Sequence, residues 1–274
     1  MSTLHKGQIK SILKQREPVS NKSNYGHALL IAGKKGYMGT AVIASRAALR
    51  AGCGLLTVCV PADERVILQQ AIPEAMLLMR EGGPLSFDKF PALGIGPGIG
   101  TDESAEQLLI EVISQFKGLL LLDADALTII SHNQKLFNAL PPNTILTPHT
   151  GEFDRMFGTH ENNETRIKTA VQKAVEHQII IVLKGYQTAI VTPDEVFYNS
   201  TGNAGLSKGG SGDALTGTIT SFLAQGYSPV NAVQLGVYLH GLAADLTLES
   251  QSMESMLITD VIENFGKAFN RIRS

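Results

Sequence analysis

Gly209–Gly210–Ser211–Gly212–Asp213–Ala214–Leu215 is the stretch on which the fold of this chain turns. Three glycines in four residues, then an acid at the head of an amphipathic segment, form a backbone concavity lined by N–H donors. Such a turn suits an anion, and the dipole of the following helix adds about 0.3–1 kcal/mol per charge. Gly202–Asn203–Ala204–Gly205 leads into it. No Gly-Lys-Ser/Thr follows the glycines, so this is not a Walker loop. No G-x-G-x-x-G follows the first predicted strand, which argues against an ordinary dinucleotide-binding dehydrogenase. The competing reading is that Asp213 only caps its helix, a common role for aspartate.

Around this turn, short apolar runs alternate with stretches of helical period. The segments 27–32, 55–60, 92–96, 119–123, 145–147, 179–184 and 188–192 read as strands. Helices are expected over 40–51, 102–116, 161–177, 213–225 and 229–249. Strands separated by helices predict an α/β fold, with a mainly parallel central sheet and helices on both faces. No repeat, low-complexity block or linker divides the chain, so residues 1–274 are expected to form a single domain.

The 274 residues are 43% hydrophobic and carry a formal net charge of −2, which gives no electrostatic case for nucleic acid or an anionic membrane. The longest apolar runs, such as Ile179–Leu183, are strand-sized and far short of a membrane span. The polar, basic start of the chain does not read as a secretory signal. Cys53 and Cys59, the two cysteines, read as buried reduced thiols, as expected of a cytoplasmic protein.

Parallel sheets deliver ligand-binding loops from their strand ends to one edge. The residues after the predicted strands are therefore informative: Gly33–Lys34–Lys35–Gly36–Tyr37–Met38–Gly39, Gly96–Pro97–Gly98, Asp123–Ala124–Asp125, Thr147–Pro148–His149–Thr150–Gly151–Glu152–Phe153, and Lys184–Gly185. Glycines and short polar residues at every such position suit a phosphate-rich ligand.

Together with Asn203–Leu215, these loops resemble the NAD(P)H-hydrate dehydratase family of the ribokinase-like superfamily, from about Asn24 to Asp260. The resemblance implies an enzyme that repairs hydrated NADH or NADPH. It makes Gly209–Gly212, with Gly210 and Gly212 central, an anion hole, and Asp213 the catalytic base. Ala41, Gly98 and His149, with Asp213, match positions that contact the hydrated nicotinamide nucleotide. Lys184, Gly185, Tyr186, Gln187 and Thr188 match the segment that contacts the nucleotide, with Gly212 completing it. Asp123, Asp125 and Glu152 resemble acids of the phosphate and magnesium region, Asp123 and Glu152 being the metal candidates. The family's cofactors are Mg²⁺ and ADP or ATP as phosphoryl donor. Its implied setting is a homotetramer in functional partnership with an NAD(P)H-hydrate epimerase, and the apolar segment 229–249 is the expected contributor to assembly.

Each position also has a structural reading. His149 can brace its turn, Lys184 can be a solvated charge, and Asp125 can cap a helix. Asp123 and Asp125 should point oppositely on an extended strand. Ala41 and Gly98 can be small because helix and loop pack closely. Thr150 stands where the family usually has proline, and Ser207–Lys208 where Ala-Thr is usual; Lys208 either adds a cation beside the phosphates or points to solvent.

The implied chemistry is phosphorylation of the C6 hydroxyl of the hydrated ring, then elimination of phosphate. ADP would give AMP, phosphate and NAD(P)H, and the chain leans toward the ADP-using branch. The alternatives are a ribokinase-like vitamin kinase, acting on hydroxyethylthiazole or hydroxymethylpyrimidine, and a nucleotide-sensing regulator without catalysis.

Overall fold

The structure is a computed structural model that describes residues 2–81, 83 and 85–274. Its strands are β1 (Ser2–Thr3), β2 (His27–Ile31), β3 (Leu55–Val60), β4 (Met76–Met79), β5 (Ala92–Ile95), β6 (Leu119–Leu122), β7 (Ile145–Leu146), β8 (Ile180–Leu183), β9 (Ala189–Val191) and β10 (Val196–Tyr198). They join one sheet in the order β1-β10-β9-β8-β7-β6-β5-β2-β3-β4. Every pairing from β4 to β8 is parallel, while β9 runs antiparallel to both β8 and β10.

The helices are α1 (Lys6–Ile12), α2 (Met38–Arg50), α3 (Arg65–Ala71), α4 (Glu103–Gln115), α5 (Asp125–His132), α6 (Gln134–Asn138), α7 (Thr150–Phe157), α8 (Asn163–His177), α9 (Ser211–Ala224), α10 (Pro229–Thr247), α11 (Ile258–Glu263) and α12 (Phe265–Arg273). Both faces of the sheet are covered, so its strands read as unbroken apolar runs such as Leu119–Leu122. The two-residue side-chain period sorts them: Leu121, Ile180 and Val182 pack with α2, α9 and α10, whereas Leu120, Leu122 and Ile181 pack toward α4, α5 and α8.

Helix α10 corrects one expectation. Fourteen of its residues are buried within this chain, including Val233, Leu235 and Leu239. Its apolar character is consumed by the protein's own core.

Strand β2 lies between β3 and β5, so the chain leaves it toward one side of the sheet and later returns to the other. Ligands of open α/β sheets bind beyond the carboxyl ends of the strands at such a switch point. The loops after β2 and β5 meet there, Gly33 N donating to Pro97 O at 2.8 Å. Gly98 turns with φ +64°, and a Cβ on it would come within 2.4 Å of Thr40 Oγ1.

Candidate active site

Helix α9 supplies the centre of the site. It is buried from Ala214 to Ala224 because it packs on both the sheet and α2, so closely that a Cβ at Gly217 would lie 2.0 Å from Ala44 O. Its N-cap is Gly210, in the left-handed region at φ +94°, with no side-chain capping bond. Asp213 sits in the first turn but caps nothing, and its carboxylate makes no hydrogen bond among the described residues. Burial, then the charge of Asp123, pushes the Asp213 carboxyl up to about 6; Lys184 opposes that rise and Asp125 adds to it. An unpartnered carboxylate with a raised pKa at a glycine turn has the attributes of a general base.

A lysine and two acids from neighbouring strand ends stand beside it. Lys184, after β8, places Nζ 2.8 Å from Asp123 Oδ1 and 3.9 Å from Glu152 Oε2. Asp123 Oδ2 accepts from Thr216 Oγ1 at 2.8 Å. Burial alone would raise the Asp123 carboxyl, but Lys184, Thr216 and Thr147 hold it below its ordinary value. Burial likewise disfavours the Lys184 charge, and Asp123 and Glu152 outweigh it, raising the ammonium pKa. A Cβ on Gly212 would lie 3.3 Å from Lys184 Nζ and 3.5 Å from Asp123 Oδ2, so the glycine turn and this cluster are one site.

The backbone explains why Asp123 and Asp125 do not diverge as an extended strand requires. The strand ends at Leu122, and Ala124 adopts φ +49° and ψ −117°, turning the chain between them. Both acids consequently act on Asp213. Asp125 is not a side-chain cap; its Oδ2 accepts from Gly100 N at 2.8 Å and so ties the Gly96–Gly100 loop to the site.

His149 is the N-cap of α7. Its Nδ1 accepts from Gly151 N at 3.0 Å and Glu152 N at 3.2 Å, and Glu152 Oε2 accepts from His149 N at 2.8 Å. This reciprocal box fixes the turn and leaves the ring more than half exposed, with Nε2 3.5 Å from Glu152 Oε1. An isolated parallel bridge between His149 and Lys184 carries the β7–β8 pairing one step further and sets these loops side by side. Gly185, Tyr186 and Gln187 are exposed beyond Lys184, with Thr188 half-buried. Ala41 is fully buried beneath the Gly33 turn, where its methyl faces that glycine. Lys208 is half-buried, and its Nζ donates to Glu254 O and Met256 O, tying down the segment before α11.

Thr216 and His240 escaped the sequence reading. Thr216 is three residues beyond Asp213, so helical spacing alone places it on nearly the same face. Thr218 and Thr220 bond back to carbonyls four residues earlier, whereas Thr216 turns to Asp123. His240, on α10, is buried with no hydrogen bond at Nε2, and burial, aided by Lys184, pushes its imidazole down to about 4.

A family model described as NAD(P)H-hydrate dehydratase matches residues 28–267. The ADP-dependent (S)-NAD(P)H-hydrate dehydratase of Bacillus subtilis is 35% identical over 272 residues, covering 95% of this chain and 96% of the relative. The bifunctional NAD(P)H-hydrate repair enzyme Nnr of Moorella thermoacetica is 34% identical over 270 residues, covering 93% of this chain. The chain spans about half the length of that bifunctional relative, 51%. Among solved structures, the Bacillus subtilis ADP/ATP-dependent NAD(P)H-hydrate dehydratase co-crystallised with ATP/Mg²⁺ has a TM-score of 0.89 at 33% identity, covering 99% of this chain and 98% of that one. A ribokinase-like superfamily protein from Enterococcus faecalis has a TM-score of 0.90 at 29% identity, covering 100% and 97%. On this evidence of sequence and fold, the chain belongs to the NAD(P)H-hydrate dehydratase family.

Proposed function

We propose that the protein is an ADP-dependent (S)-NAD(P)H-hydrate dehydratase whose base is Asp213. The observation that carries this reading is the unpaired Asp213 carboxylate, raised to about 6, at the mouth of a glycine turn beside Lys184. Hydroxide is a poor leaving group, so the hydroxyl on C6 of the hydrated ring must first be activated. Asp213 takes its proton as the oxygen attacks the terminal phosphorus of ADP, and AMP leaves. The backbone amides at Gly210–Gly212 receive the phosphoryl oxygens, and Lys184 adds positive charge beside them. The ring nitrogen then expels phosphate, a proton leaves the neighbouring carbon, and NAD(P)H is restored. General-base action contributes about 10²–10⁴-fold, with positioning and charge stabilisation supplying most of the rest.

His149 and Gly98 are assigned to the hydrated cofactor on this reading, and Lys184–Thr188 with Gly212 to the nucleotide. Ala41 belongs with the first group, although its burial limits it to shaping the loop above. Asp123 and Glu152 do not fit direct ligation of Mg²⁺. Both Asp123 oxygens are engaged by Lys184 and Thr216, and Glu152 is held by the His149 amide. Among the described residues no group of three His, Cys, Asp or Glu side chains forms a metal cage. No step here runs through a metal.

A cytoplasmic homotetramer of one such domain, working alongside an NAD(P)H-hydrate epimerase, completes the reading. The epimerase is supported by the double length of the bifunctional relative. The tetramer rests on family membership alone, and light scattering tests it. Incubation of the protein with hydrated NADH, Mg²⁺ and either ADP or ATP tests the activity. Recovery of reduced-cofactor absorbance with ADP, with AMP and phosphate formed in equal amounts, is the expected result. Activity with ATP alone, or a stable phosphorylated product, would overturn it.

A further inference from the structure

The opposite edge of the sheet carries a second cavity, of about 620 Å³. Its walls come from residues before β2 and β3, such as Tyr25 and Gly52, and from the far end of α9 at Gln225 and Tyr227. Asp213 stands at the other end of α9, 14 residues long and therefore about 21 Å in extent. The cavity is not part of the catalytic site.

Its chemistry is specific. Lys14 and Arg16 enter from the start of the chain and Arg273 from its last helix, and all three converge on Tyr227. Lys14 Nζ lies 4.5 Å from the Tyr227 ring, and the charges of Arg273 and Arg16 both act on the Tyr227 hydroxyl. The Arg16 guanidinium also stacks 3.9 Å over the Tyr25 ring, and Arg273 lies over Phe269. None of these three cations forms an ion pair among the described residues, whereas the neighbouring Arg50 is paired with Glu263. Two helices end here, and the carbonyls beyond them take one N–H each, Gly226 from Lys14 and Gly52 from Arg16. A lysine has three donors and an arginine five, so most of the donors remain for a ligand. Phe222 and Leu49 give the cavity an apolar floor.

Three cations against one lining acid, Glu17, with aromatic rings and an apolar floor in a space of this size, match a small organic anion with a planar ring. We propose that this cavity is a second ligand site for an organic phosphate of the mononucleotide class, with the phosphate held by Lys14, Arg16 and Arg273 and the ring placed against the apolar floor. Neither the family membership nor the proposed reaction requires it.

The probe is AMP, titrated calorimetrically into the full chain. The wild type should bind one more equivalent than the Arg16→Glu/Arg273→Glu variant, whose two changes are on exposed side chains. A Ser20→Trp variant places a bulky ring at the cavity mouth without altering a charge, and should lose the same equivalent. Adenosine and inorganic phosphate should each bind this site at least about tenfold more weakly than AMP, since each supplies half of the contacts. Unchanged melting curves show that the variants fold. Identical stoichiometry and affinity in the wild type and both variants would overturn the site, whatever the dehydratase assay shows.

Discussion

Lys184 Nζ lies 2.8 Å from Asp123 Oδ1, an ion pair in which the carboxylate is 2% exposed and the lysine 21%. Removing one partner of a buried pair leaves the other charge uncompensated, at about 3–5 kcal/mol. Asp123→Ala should lose stability on that scale in denaturant melts. Asp123→Asn tests the electrostatics. The Asp123 charge raises Asp213, so without it the ascending limb of the pH–rate profile should move below about 6. A limb that stays in place would show that Asp213 is not the titrating base.

For Asp213 itself, the sign of the pH dependence can be worked out. Its folded pKa of about 6 lies above its ordinary 3.8, so the folded state holds the proton more tightly. The stability it contributes is complete below about 4 and is lost as pH rises through about 6. Asp213→Asn removes that loss. It should melt above the wild type at pH 8 and approach it near pH 4, while turnover falls about 10²-fold or more. No helix cap is lost, because Gly210 holds that position.

The two functions assigned to His149 separate by substitution. His149→Ala removes the acceptor of the Gly151 and Glu152 amides and should cost about 1 kcal/mol, whereas asparagine, a good N-cap, should restore most of it. If the ring contacts the hydrated cofactor, KM for that substrate rises in both variants. Melting curves beside steady-state kinetics distinguish the effects.

Lys208 predicts a structural phenotype. Lys208→Met deletes two charge-assisted bonds to the carbonyls of Glu254 and Met256, each worth about 1.5–3 kcal/mol at most. Hydrogen exchange should rise in the segment 252–257. A change confined to nucleotide KM would instead place this lysine beside the phosphates.

The sheet was legible because doubly covered parallel strands are apolar throughout: Leu119–Leu122 and Ile180–Leu183 have little other use in a chain of this composition. Strands β1, β4 and β10 were not foreseen, being two to four residues long at or near the sheet edges, with too few positions for a pattern to emerge. Helices α5 and α7 were missed because each starts inside a loop that had been read for its chemistry. At the site, the glycine turn and Asp213 stood out as a motif. The Lys184–Asp123 pair spans 61 residues, and local sequence holds no trace of so distant a contact. The direction of Asp125 hinged on the backbone of Ala124, an alanine in a conformation that alanine seldom adopts.

The contact between Gly217 and Ala44 has a mechanical consequence. With no room for even a methyl group between their backbones, α2 and α9 pack in direct contact, and together they behave as a single girder. Asp213 is mounted at the head of that girder, so substrate entry cannot be accommodated by displacing the base. Whatever yields must be softer: the Gly33–Gly39 turn, or the exposed segment beyond Lys184. Amide exchange there should be fast in the free protein and slow on ligand binding, while the amides of α9 stay protected throughout.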